Sequence, residues 1–297
     1  MMQLRDRLTQ IKPIIADGAM GTMLFQRGLK PGECLERMNL EHPEVLEEIA
    51  RLYFEAGAEI IQTNTFGGSP LKLAMYSLEN KTEEINARAV QAVRKVVADK
   101  AYVSASCGPT GKLLEPFGDT KPDQIFESFR RQLNVVIGEG VDLICIETMT
   151  DLNEAILAVK AARSISAKIP ICATMTFDKT PRGFYTIMGV TIEQAVKGLT
   201  EASTDIIGSN CGNGIEKMIA IAHEFKKQTT PPIIIQSNAG LPIMKGGELI
   251  YNETPEFMAE KSRELLSAGV KIIGGCCGTT PAHIAAMKNI NVNTPSP

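Results

Sequence analysis

Eight short β-rich runs, each followed by a segment of helical periodicity, predict an α/β fold in which a parallel sheet closes on itself as a (β/α)8 TIM-type barrel. Three observations carry this expectation. The runs alternate with helical segments from one end of the chain to the other, eight such units fit within 297 residues, and no interior stretch has the composition of a linker. An open doubly wound sheet is the alternative architecture for the same alternation. Hydrophobic residues make up 44% of the chain and charged residues 22%, which is enough apolar material for one large core.

In chain order the strand runs are "PIIADGAM", "EIIQTNTF", "AYVSASCGP", "VDLICIETM", "PICATMTF", "DIIGSNCG", "PIIIQSNAG" and "VKIIGGCCG". Between them lie helical segments such as "HPEVLEEIARLYFEAGA", "LNEAILAVKAARSISA" and "PEFMAEKSRELLSAGV". In the first of these, Val45, Ile49 and Leu52 fall on one helical face. The recurring "AGA", "EGV" and "AGV" read as helix ends leading into short loops before the next strand. A single domain over residues 1–290 is expected. The polar, Pro-containing "NVNTPSP", 291–297, reads as a flexible tail or the start of a linker.

Several function classes are excluded at this level. The formal net charge is −3 and no Lys/Arg cluster stands out, which argues against a nucleic-acid partner. The first twenty residues lack the apolar stretch of a signal peptide, and no run approaches the ~20 apolar residues that span a bilayer. A cytoplasmic protein with no membrane partner is expected.

Seven cysteines, an odd number, do not suggest a disulfide framework. Cys145 and Cys172, flanked by apolar residues, read as small core hydrophobes. Cys276 and Cys277 are adjacent, and neighbouring Cα atoms about 3.8 Å apart are too close for ordinary disulfide geometry. In a barrel of this kind the loops after the strands build the active site. Cys211 follows the sixth strand and Cys276-Cys277 the eighth, with the seventh between them, so the three thiols can converge on one rim. Three thiolates leave the fourth tetrahedral position of a zinc ion open, the arrangement of a catalytic site, and soft sulfur selects zinc over magnesium or calcium. Gly274, Gly275 and Gly278 would let the chain turn so that both adjacent cysteines face one ion. His283 is the nearest fourth donor, but it lies at the start of the last helix behind Pro281 and is expected to face elsewhere. His42 and His223 sit in helical segments as surface or packing residues. A zinc with three anionic sulfurs is a weak Lewis acid. It suits lowering the pKa of a substrate thiol and keeping it nucleophilic, which is the chemistry of thiol alkylation.

The first strand ends in "ADGAMGT". Its backbone N–H groups around Gly18 and Ala19 can hold a carboxylate, whereas the pattern is not the G-x-G-x-x-G of dinucleotide binding. Asp17 and Glu147 on the same rim can pair with an ammonium group; the bland readings are a helix cap and an ordinary strand-end carboxylate. N–H donors, carboxylates and a thiophilic metal together describe an amino acid with a thiol side chain.

Residues "ADGAMGTML", "YFEAGAEIIQTNTFGGS", "GPTG", "IETMTDLNEA", "NCG", "SNAGLP" and "GGCCGTTPAHI" resemble the homocysteine S-methyltransferase family, over about residues 11–289. The chain is most similar to the homocysteine-binding modules of its cobalamin-dependent members. The resemblance implies a (β/α)8 barrel with zinc held by Cys211, Cys276 and Cys277 at the C-terminal rim of the strands. It implies methyl transfer to L-homocysteine, with no catalytic group beyond the zinc-activated substrate thiolate. Asp17 and Glu147 would take the substrate ammonium and the Gly18–Ala19 turn its carboxylate. Asn238 would lie next to the metal. One stretch departs from the family pattern: in 181–190, Arg182 and Gly189 are kept but the intervening "GFYTIM" is bulkier and more apolar. This is the rim that accommodates the methyl donor, so the residues that bind the donor cofactor are not assigned. A methyl-corrinoid (methylcobalamin) carried by a partner protein, or by further domains beyond residue 297, is the expected donor. S-methylmethionine, betaine, and a non-catalytic zinc- or thiol-binding module are the alternatives. A betaine site would need aromatic side chains around the ammonium, for which Phe66 and Tyr185 are the rim candidates.

Overall fold

The computed structural model describes residues 2–245 and 248–290; the tail expected at 291–297 lies outside them. Eight parallel strands form the barrel: β1 (Ile14–Ile15), β2 (Ile60–Gln62), β3 (Tyr102–Cys107), β4 (Leu143–Met149), β5 (Ile171–Met175), β6 (Ile206–Asn210), β7 (Ile233–Ser237) and β8 (Ile272–Gly275). Each lies inside one of the eight β-rich runs. Their order around the sheet is β1-β8-β7-β6-β5-β4-β3-β2. A parallel bridge between Ala16 and Ile60 joins the two ends. There the Asp17 N–H donates to the Ile60 carbonyl at 3.0 Å and the Glu59 N–H to the Ile15 carbonyl at 2.7 Å. The sheet is therefore a barrel and not the open alternative.

Eight helices follow the strands in turn: α1 (Pro43–Glu55), α2 (Thr82–Val97), α3 (Pro122–Gly138), α4 (Leu152–Ile165), α5 (Ile192–Glu201), α6 (Ile215–Gln228), α7 (Pro255–Ser267) and α8 (Pro281–Lys288). Proline occupies the first turn of α1, α3, α7 and α8, where its missing N–H leaves no internal bond unmade. The "AGA", "EGV" and "AGV" segments end α1, α3 and α7 with left-handed Gly57, Gly140 and Gly269. In each the next residue's N–H reaches back to a carbonyl in the last turn, as from Ala58 to Tyr53 at 3.1 Å. On α1 the buried face is Leu46, Ile49, Ala50 and Tyr53; Val45 and Leu52 flank it half-buried. The face is rotated from the expected one because Tyr53 turns inward to reach the barrel rim. None of the described helices is long and apolar enough to cross a membrane.

Alternation along the strands sorts the core into two shells. Ile15, Ile61, Val103, Ala105, Ile144, Ile146, Ala173, Ile207, Ile233, Ile235 and Ile273 face outward against the helices. Ile14, Ala16, Ile60, Tyr102, Leu143, Cys145, Cys172, Ile206, Ile234 and Ile272 fill the barrel floor, which Leu4 of an N-terminal helix (Leu4–Thr9) closes from below. Cys145 and Cys172 are thus core residues, as expected. Inward positions nearer the strand C-termini include Gln62, Ser106, Glu147, Thr174, Asn210, Gln236 and Cys276. The same period that packs the floor therefore delivers a ring of polar side chains to the top.

Two antiparallel hairpins rise from that top face: Asp178–Thr180 with Gly183–Tyr185 after β5, and Ile243–Lys245 with Glu248–Ile250 after β7. The loops there also carry most of the exposed large apolar side chains of the described residues. Met75, Leu113, Phe117, Ile187, Met188, Leu241, Ile243, Met244, Leu249 and Ile250 all sit on this face, with Ile187 at 82% and Phe117 at 78% exposure.

Candidate metal centre and substrate pocket

Cys211, Cys276 and Cys277 converge. Their sulfur atoms lie within 4.8 Å of one another, the one such group of metal-ligating side chains among the described residues. Cys211 Sγ and Cys277 Sγ are 3.8 Å apart, and all seven cysteines are free thiols. Strand β7 holds the two loops together. The Cys211 N–H donates to the Gln236 carbonyl at 3.1 Å, the Cys276 N–H to Ser237 at 2.7 Å, and the Ala239 N–H to Cys277 at 2.9 Å.

The backbone that points the thiols inward departs from the expected use of glycine. Only Gly278 of the "GGCCG" segment is left-handed, at φ +81°, while Cys211 itself is left-handed at φ +59° with Gly212 following at +72°. Gly274 and Gly275 serve close packing instead. A Cβ on Gly275 would lie 2.2 Å from Thr279 Oγ1, and one on Gly274 2.9 Å from the Asp17 carbonyl oxygen. The ring of Tyr251 packs over Gly278 so closely that a Cβ there would meet it at 2.1 Å.

The chemistry of this donor set fits a soft cation. Thiol hydrogen bonds from Cys276 and Cys277 pull Cys211 down to about 3, while the resulting thiolate pushes Cys276 up and Cys277 up to about 12. The first proton leaves the cluster readily and the others are held by the charge it leaves behind; a metal cation would relieve that repulsion. Beside the thiols, Asn238 Oδ1 is buried with no hydrogen-bond partner among the described residues. An unsatisfied buried carbonyl oxygen at this position is left available to a cation or to a donor on a ligand. His283 contributes nothing to the cluster. Its Nδ1 lies 3.1 Å from the Thr280 N–H, capping α8, and its Nε2 lies 3.0 Å from the Glu253 carbonyl. His42 and His223 are exposed.

Two carboxylates occupy the other side of the rim. Asp17 is buried, with Oδ2 accepting the Gln62 N–H at 2.7 Å and Oδ1 left without a partner among the described residues. Glu147 accepts Ser106 Oγ–H and, at 3.0 Å, the Gln62 side-chain amide, and its second oxygen accepts from Asn210 Nδ2 at 3.3 Å. Burial pushes Asp17 up to about 8, opposed by the Gln62 N–H and reinforced by the charge of Glu147. Burial likewise raises Glu147 to about 7, opposed by the Ser106 hydroxyl. Two buried acids with one unfilled lone-pair direction among the described residues could pair with an ammonium group. In the Gly18–Ala19 turn, Gly18 is wedged between Thr279 and Tyr53, where a Cβ would meet Thr279 Oγ1 at 2.6 Å. The Ala19 N–H donates to Thr279 Oγ1 at 3.1 Å, so that amide is engaged within the protein. Tyr53 clamps the turn from outside, donating to the Ala19 carbonyl at 2.8 Å.

Sequence reasoning gave no role to Gln62, Ser106, Asn210, Tyr53, Thr279 or Tyr251, although Asn210 stands in the "NCG" that ends the sixth strand. The first three could have been found by continuing the inward phase of β2, β3 and β6 to the rim. The others arrive from distant helices and loops with no local signal. In 181–190, Arg182 stacks its guanidinium 5.9 Å from the centre of the Tyr185 ring and Phe184 packs on the core. Gly183–Tyr185 form one strand of a short hairpin, while Ile187 and Met188 beyond it are exposed.

A family model described as homocysteine S-methyltransferase matches residues 14–290. The methionine synthase of Mycobacterium tuberculosis is 33% identical over 97% of this chain, and that of Mycobacterium leprae 32% identical over 91%. The chain spans about a quarter of the length of these curated relatives, 25% and 24%. Among solved structures, the metallated form of the homocysteine methyltransferase MmuM from Escherichia coli superposes with a TM-score of 0.80 at 23% identity, covering 96% of this chain and 98% of that one. Its apo form gives 0.72 at 22% identity, covering 94% and 96%. At these identities the structural likeness establishes the shared fold.

Proposed function

The chain belongs to the homocysteine S-methyltransferase family, and from that premise we propose that residues 1–290 are a single homocysteine-binding domain that methylates the thiol of L-homocysteine to give methionine. Cys211, Cys276 and Cys277 would hold zinc. The convergence of these three thiols on one rim, 3.8 Å apart at the closest, is the observation that carries the reading. When bound, zinc supplies a soft cation that lowers the pKa of a substrate thiol.

The protein's own groups do the rest by binding and alignment. Asp17 and Glu147 take the substrate ammonium, which replaces the repulsion between two buried acids with an ion pair. The Gly18–Ala19 turn borders the substrate carboxylate, and Asn238 lies beside the position the sulfur occupies. The substrate thiol gives its proton to solvent. Its sulfur then forms the new bond to the methyl carbon as the methyl–donor bond breaks, with the electron pair staying on the donor. No side chain has to move a proton in that step, so the contribution of the site is placement.

The donor is a methyl-corrinoid held by a partner protein or a further domain. Supporting this, a collar of exposed apolar side chains surrounds the mouth of the site, from Phe117 through Ile187 to Met244. A small free donor would make no use of so wide a surface, whereas a carrier domain docking over the mouth would cover it. Transfer from S-methylmethionine to the same zinc–thiol site is the second reading, favoured by the structural likeness to a homocysteine methyltransferase of which this chain covers 98%.

The decisive experiment follows zinc–sulfur coordination by X-ray absorption while homocysteine is added, then assays methionine with methylcobalamin, S-methylmethionine and betaine. Bound zinc at one per chain with sulfur coordination rising from about three to about four is the expected result. No change in coordination on adding the thiol would sink the reading.

A further inference from the structure

Asn210, the last residue of β6, is fully buried and its side-chain amide is saturated. Oδ1 accepts from the Thr148 N–H at 2.8 Å and from Thr174 Oγ1 at 2.7 Å. Nδ2 donates to Thr148 Oγ1 at 2.8 Å and to Glu147 Oε2 at 3.3 Å, and lies 3.9 Å from Cys276 Sγ. An amide offers two donors and two lone pairs, and here every one is directed at the rim. One planar group therefore ties β4, β5 and β6 together at their C-terminal ends and touches both halves of the pocket, the acid that faces the ammonium and a thiol of the cluster. The residue after it is Cys211.

The backbone around this amide is under tension. Thr148 and Cys211 both adopt φ +59°, a left-handed conformation that a β-branched residue rarely enters. Such conformations persist only where the surroundings over-determine them. For Thr148 that determination comes from Asn210, which holds both its N–H and its hydroxyl.

We propose that Asn210 is a positioning residue that fixes the distance between the thiol cluster and the Glu147 carboxylate, and so selects homocysteine over its shorter homologue cysteine. The inference rests on the functional reading above. An amino acid gripped at both its sulfur and its ammonium is measured by the gap between the two grips. If the gap is rigid, a ligand one methylene shorter cannot satisfy both ends; if it is soft, the ends move together and discrimination is lost.

The test uses the zinc-loaded protein and direct binding of L-homocysteine, L-cysteine and 2-mercaptoethanol, which reports the sulfur grip alone. The variants are Asn210→Asp, which keeps the shape but turns a donor to Glu147 into an acceptor, and Thr174→Val, which loosens the amide from β5 without touching either grip. Wild type should favour homocysteine over cysteine on the order of 10- to 200-fold, the usual worth of one methylene in a fitted site. In Asn210→Asp the homocysteine affinity should fall on the order of tenfold or more, as for a lost hydrogen bond to a charged group. Zinc content and 2-mercaptoethanol binding should stay unchanged, and the homocysteine-to-cysteine ratio should shrink toward one. Thr174→Val should move the ratio in the same direction by less, and it serves alone if the aspartate variant does not fold. An unchanged ratio, or equal weakening of all three thiols, overturns the assignment while leaving the methyltransferase reading intact. Failure of wild type to bind homocysteine at all takes both down.

Discussion

Cys211 is a cysteine in a backbone conformation that glycine ordinarily fills, and its sulfur is the one whose proton the cluster releases most easily. The three thiols act as a unit, so removing one should remove the metal. Cys276→Ser should lower bound zinc to near zero and methionine formation by more than about 100-fold, beyond the loss typical of a residue that merely orients a ligand. Circular dichroism should show the barrel intact; global unfolding would instead mark the zinc as structural. The carboxylates make a pH prediction. Asp17 is raised from 3.8 to about 8, so in the metal-free, ligand-free protein its contribution to stability is full below pH 3.8 and is lost as pH rises through about 8. The melting temperature of wild type relative to Asp17→Asn should therefore fall as pH increases across that window. Cys211 is lowered and titrates with the opposite sign, which is why the difference between the two proteins is the quantity to measure. Bound substrate ammonium should abolish the slope by stabilising the charged carboxylate.

At the scale of elements, the strands and helices answer to local rules that the residues state openly. Period-two runs of Ile, Val and Cys bounded by Gly and Pro made all eight strands legible, and the glycines after α1, α3 and α7 end their helices as their spacing suggests. The phase of α1 was read one residue off because Tyr53 buries itself against the barrel rim, a contact with Ala19 and Thr279 that nothing in α1 announces. Glycine also works at this scale by its lack of a side chain. A Cβ on Gly208 would stand 1.8 Å from the Ile234 carbonyl oxygen on the neighbouring strand. Gly208→Ala should therefore push β6 away from β7, displacing Cys211 at its end. Urea denaturation should show a loss of about 1–3 kcal/mol or more, as for an overpacked core. A stability equal to wild type would mean that the two strands can part freely.

For the whole molecule, the collar of apolar side chains faces the same way as the thiols, and that shared direction separates the two proposed donors. Ile187→Ser combined with Met244→Ser should leave homocysteine binding and transfer from free S-methylmethionine or methylcobalamin unchanged. Transfer from a carrier-bound corrinoid should fall on the order of tenfold, the effect of removing interface anchors. Equal loss with free and carried donors would count against docking. The barrel itself, its direction and the zinc-ligand candidates were all readable from the chain, since alternation of strand and helix and the positions of Cys211, Cys276 and Cys277 at strand ends are linear properties. So were Asp17, Glu147 and Asn238. The sequence alone thus determined the strands and part of the rim, the three thiols and the two acids among it. Tertiary structure decided what they do to one another: that Asn210 bridges the acid and the thiols, that Gln62 ties Asp17 to Glu147, and that Gly275 makes room for Thr279 rather than turning the chain. The physical reason is that burial, hydrogen-bond direction and steric contact are set by distances across the barrel, between residues up to some 260 positions apart in the chain, as with Ala19 and Thr279.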